Sequence, residues 1–201
     1  MLLPLQLLAR ALALWWREFA FLILVNVIWL ICQATVVLGP PATAALAGVA
    51  QRVLDGELVD LGDFWRGLLR EFGPAWKWGL AQLVVYGVLG FNLWFYREQS
   101  TGTVLALRYA WTLMASVWFA VNLYFWPLHH EQTDRRFRTT ITNAGKMALL
   151  NPNATLVYAV AALLFIAVSL LSGALLGIAL GVWLSLWGKL VVREHLRSYV
   201  H

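Results

Sequence analysis

Charge is scarce in this chain. Only 12% of its 201 residues are Asp, Glu, Lys or Arg while 61% are hydrophobic, against about 25% and about 45–50% in soluble domains. A water-soluble globular fold is therefore excluded, because so much apolar surface could not be hidden. Cysteine is nearly absent as well. The single Cys32 rules out an internal disulfide, and its apolar setting reads as a small buried side chain. Missing too are a Gly-rich phosphate loop, a GxSxG elbow, a CxxC pair and an HExxH-type pattern, so no enzyme or cofactor constellation is expected. No Ser/Gly- or Pro-rich linker divides the chain, which reads as one domain.

What is present is a series of charge-free runs of membrane length. A crossing needs about 20 apolar residues, and the runs predict an all-α, polytopic membrane protein. Five spans are expected, at about 19–38, 76–96, 104–126, 153–171 and 174–192. Pro127 closes the third, and Ser172-Gly173 bends the chain between the last two. Short helices are expected in the interface at about 41–54, 63–72 and 132–150, with Asp63 capping the second and Gly73-Pro74 ending it. The opening residues read as a further interfacial helix with Trp15 and Trp16 at the headgroups.

The run GPPATAAL, then Arg52 and Gly56-Glu57, then DFWRGLLREF ahead of a span, resembles the YesL-like family of bacterial multi-pass membrane proteins of unknown function. WPLHHEQ followed by TNAGKMALLNPNATL at 142–156 resembles that family's second block. The resemblance implies a small protein of the bacterial inner membrane, often found near genes for carbohydrate uptake, with no established activity. An internal repeat is also suggested, since aligning Pro74 with Pro152 pairs Gly67 with Gly145 and Leu69 with Met147.

Lys and Arg set the orientation. Eleven of the fifteen fall in the connections and the tail, leaving Arg10, Arg17, Arg97 and Arg108 for the other side. The positive-inside rule then makes the connecting helices and the C-terminus cytoplasmic.

Polar side chains inside spans are functional candidates because they are costly to place there. Asn26, Gln33, Gln82, Asn92 and Asn122 qualify, with interhelical hydrogen bonding as the plainer alternative to a substrate site. Gly173, Gly177, Gly181 and Ser185 recur every four positions, a close-packing ridge for a neighbouring helix of the bundle or of a second copy. Arg135, Arg136, Arg138 and Lys146 are lipid-headgroup candidates. His129-His130-Glu131 with Asp134 nearby has no metal-site spacing and reads as a membrane-boundary turn. A net charge of +5 spread along membrane-proximal helices forms no compact surface for nucleic acid. The expected partners are thus the bilayer and a membrane protein or second copy. The favoured function is a non-enzymatic accessory or regulatory component, with solute uptake as the context that the resemblance implies. A stand-alone transporter would instead line a polar cavity with Asn26, Gln82, Asn92 and Asn122, and a lipid-modifying enzyme would hold the 129–134 cluster in an interfacial cleft.

Overall fold

The computed structural model describes residues 3–99 and 101–198. Among them every regular element is a helix: α1 (Leu3–Arg17), α2 (Phe19–Ala34), α3 (Gly39–Leu54), α4 (Leu61–Arg70), α5 (Phe72–Phe95), α6 (Gly102–Glu131), α7 (Phe137–Leu150), α8 (Pro152–Ser172), α9 (Ala174–Ile178) and α10 (Leu180–Ser198). Among the described residues three helices are long and apolar enough to cross a membrane: α5, α6 and α8. A fourth span results if α1 and α2, bent by 98°, act together, so five is an approximate count. The stretch 174–192 is not one helix. It breaks at Ala179, and α10 then carries Lys189, Arg193, Glu194 and Arg197.

The helices form three hairpins. In the first, α3 folds back along α2: Gln33 Nε2 donates to Gly39 O (3.1 Å) and Thr43 Oγ1 (2.9 Å), and Trp29 Nε1 also donates to Thr43 (3.1 Å). Its corner passes through Val36 at a φ of 61°, a conformation costly for a β-branched residue. Thr35 Oγ1 accepts from Leu38 N, and Trp76 Nε1 from α5 donates to Val37 O (3.0 Å). The second hairpin pairs α5 with α6. The third pairs α8 with α10 through contacts of Phe165 on Trp183 and Tyr158 on Trp187.

Residues 41–54, expected as a surface helix in the interface, are buried among other helices. They belong to an enclosed helix, packed by α2, α4, α5, α6 and α10. Small residues on every side of α3 make this possible: Ala42, Ala44, Ala45, Ala47 and Ala50 are all buried, and their size lets five neighbours approach. Because α3 returns along α2, Arg17 and Glu18 share a small pocket with Gly56 and Val59. Arg17 therefore sits at the connector end, not across the bundle from Arg52. Trp15 is buried while Trp16 is exposed, since α1 packs on α10 and Trp187 Nε1 donates to Pro4 O (2.8 Å).

Three local boundaries also differ from expectation. Asp60, not Asp63, caps α4. The two form a capping box in which each carboxylate accepts from the other's backbone N–H (2.8 and 3.1 Å). Gly73-Pro74 opens α5 instead of ending α4, as proline's missing donor permits in a first turn. Pro127 does not close α6, which runs on to Glu131. Proline denies Leu123 O its helical donor, and α10 covers that site: a Cβ on Gly188 would stand 2.9 Å from Pro127 Cγ, 2.7 Å from Tyr158 Oη and 3.6 Å from Leu123 O. The bend at Gly173 (φ 64°) and the start of α8 at Pro152 are as expected. The repeat appears in element order, α3–α4–α5 against α6–α7–α8, but Gly67 packs on Ala45 whereas nothing lies near Gly145.

Candidate functional site

The five amides do not converge on a cavity. Asn26, fully buried on α2, inserts into the break between α9 and α10. Its Nδ2 donates to Leu176 O (2.9 Å) and Gly177 O (2.6 Å), and its Oδ1 accepts from Gly181 N (2.9 Å) and Val182 N (3.2 Å). One side chain thus caps two helix ends. Gln33 holds the α2–α3 corner described above. Gln82 and Asn122 meet between α5 and α6, where Trp78 Nε1 donates to Asn122 Oδ1 (2.9 Å) and Trp118 Nε1 to Gln82 Oε1 (2.9 Å). Asn92 only donates back to Val88 O of its own helix. In each case an otherwise unpaired polar group gains a partner, which is the role of such residues as packing contacts.

The glycine ridge is likewise divided. Gly181 permits close approach, since a Cβ there would meet Leu46 and Trp29 at 2.8 Å. A Cβ added at Gly173 or Gly177 would meet nothing within 4 Å, and Ser185 donates to Gly181 O within α10. The second tight glycine of α10 is Gly188, which spacing by fours from Gly173 passes over.

The polar chemistry gathers where the returning arms α3, α6 and α10 end. Lys189, with no exposed surface, donates to Gln51 Oε1 (2.9 Å) and Pro127 O (2.9 Å), and Glu131 lies 4.0 Å away. Arg193, one turn on, bridges Glu131 (2.7 Å) and Asp55 (2.8 Å). Each arm contributes to a network in which the buried charges are paired, as burial demands. Sequence reasoning missed Lys189 as an interior group because it falls near the end of the expected fifth span. The signal available was its setting, LWGKLVV, which is apolar on both sides.

Beside this network a cleft of about 280 Å³ opens between α3, α4 and the end of α6. Its floor is Ala44, Ala45, Gly48 and Gly67. Its rim is made of matched charges: Arg52 contacts Asp63 and Glu57 (3.1 Å), Arg66 contacts Asp63 (2.7 Å), and Arg70 contacts Glu71 (3.3 Å). The Arg66 guanidinium holds the Asp63 carboxyl down at about 2.

The histidines are not in a boundary turn. Both are buried in the last turn of α6. His130 lines the cleft and donates from Nε2 to Ala44 O (3.1 Å). His129 lies behind it, with Nε2 3.2 Å from Glu71 Oε2 and Nδ1 3.5 Å from Thr140 Oγ1. Glu131 turns to Arg193, and Asp134 accepts from Thr139 and Arg136. The 129–134 cluster is thereby split among separate partners, and among the described residues no three ligating side chains are placed to hold a metal ion. Arg135, Arg136, Arg138 and Lys146 are all exposed, with Arg135 also on the cleft.

Glu71 gives the site a pH signature. The hydrogen bond from His129 holds its carboxyl down at about 2, against an ordinary value of 4.5. A carboxyl depressed in the folded state stabilises the fold fully above its ordinary value and loses that effect as pH falls towards the folded one. Detergent-solubilised protein should therefore lose thermal stability between about pH 4.5 and 2. Asp63 adds to the same window. Glu71→Gln should lower the midpoint at pH 7 and flatten the acid limb; an unchanged limb would show that the His129–Glu71 contact contributes nothing.

Residues 22–93, from α2 through most of α5, match the model of a family described as a protein of unknown function, DUF624. GPPATAAL and DFWRGLLREF lie inside that stretch, whereas the block at 142–156 lies outside it. No curated protein and no solved structure matches the chain. Over the segment that builds the first hairpin and both walls α3 and α4 of the cleft, the chain is thus similar to a family whose function is unknown.

Proposed function

We propose that this protein is a non-enzymatic accessory or regulatory component of the cell membrane, whose charged end, facing the cytoplasm, is its working surface. The observation that carries the reading is the use of the intramembrane amides. Asn26, Gln33, Gln82 and Asn122 bind one another, tryptophans or backbone across helix contacts, and Asn92 binds its own helix. A solute route would need such groups facing a common space. The polar recess instead opens at the connector end, with arginines and carboxylates alternating round its rim. Such a surface suits a partner of mixed charge, because complementary rims fix register and exclude wrong partners. The cytoplasmic assignment rests on the excess of Lys and Arg at that end, and the link to solute uptake rests on the resemblance to YesL-like proteins.

The transporter reading keeps one point in its favour, the meeting of Gln82 and Asn122 between two spanning helices. Reconstitution separates the two. Purified protein in sealed vesicles should show no saturable flux with a panel of sugars, while Arg66→Glu with Arg70→Glu should abolish co-purification of a membrane protein from native membranes. Saturable flux lost on Gln82→Leu with Asn122→Leu, in a variant that still folds, would replace this reading with the transporter.

A further inference from the structure

Away from the cleft, a second recess of about 300 Å³ lies between α7 and the last turns of α6 and α10. On α7 its lining falls at i, i+3, i+4 and i+7, as Asn143, Lys146, Met147 and Leu150. The lining changes character along the helix. At one end Asn143 Nδ2 donates to Gln132 Oε1 (2.9 Å), and Lys146 stands exposed beside them. At the other, Met147 and Leu150 are joined by Leu128 of α6 and Leu196 of α10. The apolar end lies next to the start of α8, since Pro152 begins that spanning helix two residues after Leu150. Leu149 and Leu150 are 79% and 65% exposed there, and contact with hydrocarbon would favour that position.

Charge selects the occupant. Glu131 also borders the recess, but its carboxylate is taken by Arg193 (2.7 Å) and faces Lys189. Lys146 has no carboxylate partner among the described residues. Arg138, two turns earlier on α7, is exposed as well. The recess is therefore a cationic mouth over an apolar channel opening towards the bilayer, complementary to an amphiphile with an anionic head. We infer that the groove between α6, α7 and α10 is a binding site for one anionic phospholipid, its phosphate on Lys146 and an acyl chain along Met147, Leu150, Leu128 and Leu196.

The test uses delipidated full-length protein in a mild detergent, mixed with phosphatidylglycerol or with phosphatidylcholine of the same chains, with bound lipid counted by native mass spectrometry. One phosphatidylglycerol should be retained about five- to tenfold more tightly than phosphatidylcholine, the preference expected of a single cation near an anionic head. Lys146→Gln should erase that preference, Leu196→Trp should weaken both lipids, and Arg138→Gln should change neither. Should Leu196→Trp fail to fold, Leu150→Trp at the more exposed lip fills the same channel. Equal retention of the two lipids would overturn the inference. So would displacement by inorganic phosphate alone, or an effect of Arg138→Gln as large as that of Lys146→Gln, which would mark diffuse attraction to the helix.

Discussion

Replacing Asn26 with Leu should lower the unfolding midpoint of the detergent-solubilised protein more than any other single amide substitution. The side chain satisfies two carbonyls at the end of α9 and two N–H groups at the start of α10, in a position with no access to water. Leaving a buried backbone group unpaired costs about 1–3 kcal/mol. With partial relaxation of the four, the loss comes to about 3–6 kcal/mol, or roughly 10–20 °C in a chain of this size. Asn26→Asp should do no better, because a carboxylate keeps the acceptor for Gly181 and Val182 but sets an oxygen against the Leu176 and Gly177 carbonyls. Asn92→Leu is the control. Its amide returns only to Val88, and the change should fall within about 0.5 kcal/mol. Equal midpoints for Asn26→Leu and Asn92→Leu would show that the α9–α10 break does not depend on α2.

The second large effect is expected in the network of Lys189, Glu131 and Arg193. Lys189 is buried and Glu131 and Arg193 are half-buried, so removing one member strands the others at a cost of up to about 3–5 kcal/mol. Glu131→Leu should reach that range, because it leaves Lys189 without the carboxylate beside it and takes one of Arg193's two partners. Lys189→Met should cost less, about 1–3 kcal/mol, since it unpairs Gln51 Oε1 and Pro127 O but strands no charge at the centre. The double variant should fall short of the sum of the two by at least about 1 kcal/mol, the sign of residues that act through one another. Strict additivity in denaturant or thermal unfolding would mean that the three arms are fastened independently.

Much of the architecture was legible because it follows from solvent. Charge-free runs marked α5, α6 and α8, and the backbone chemistry of Gly173 and Asn151-Pro152 marked their ends. What could not be read was set by neighbours. Helix α3 looks like a surface helix because alanine and glycine give no apolar stripe, yet their smallness is what lets it sit at the centre. Pro127 reads as a terminator by propensity, yet α6 continues past it, with Gly188 packed close and Lys189 donating to Pro127 O, contacts with no local signature. The paired histidines looked like a polar turn. Their burial depends on Glu71 and Ala44, 58 and 86 positions away in sequence. The amides stand out in the sequence as costly to place in a span, but their partners, at separations of up to 156 residues, have no local signature.

The hairpins differ in reach. An arm of 16 residues such as α2 or α3 extends about 24 Å and the 30-residue α6 about 45 Å, against a hydrocarbon layer of about 30 Å. Lipid beside the exposed face of α2 must thin or leave that flank incompletely wetted, while α6 shows lipid only the stretch before the buried Tyr124, about 33 Å. The molecule thus presents two thicknesses to the sheet that surrounds it, and a bilayer of uniform depth cannot match both.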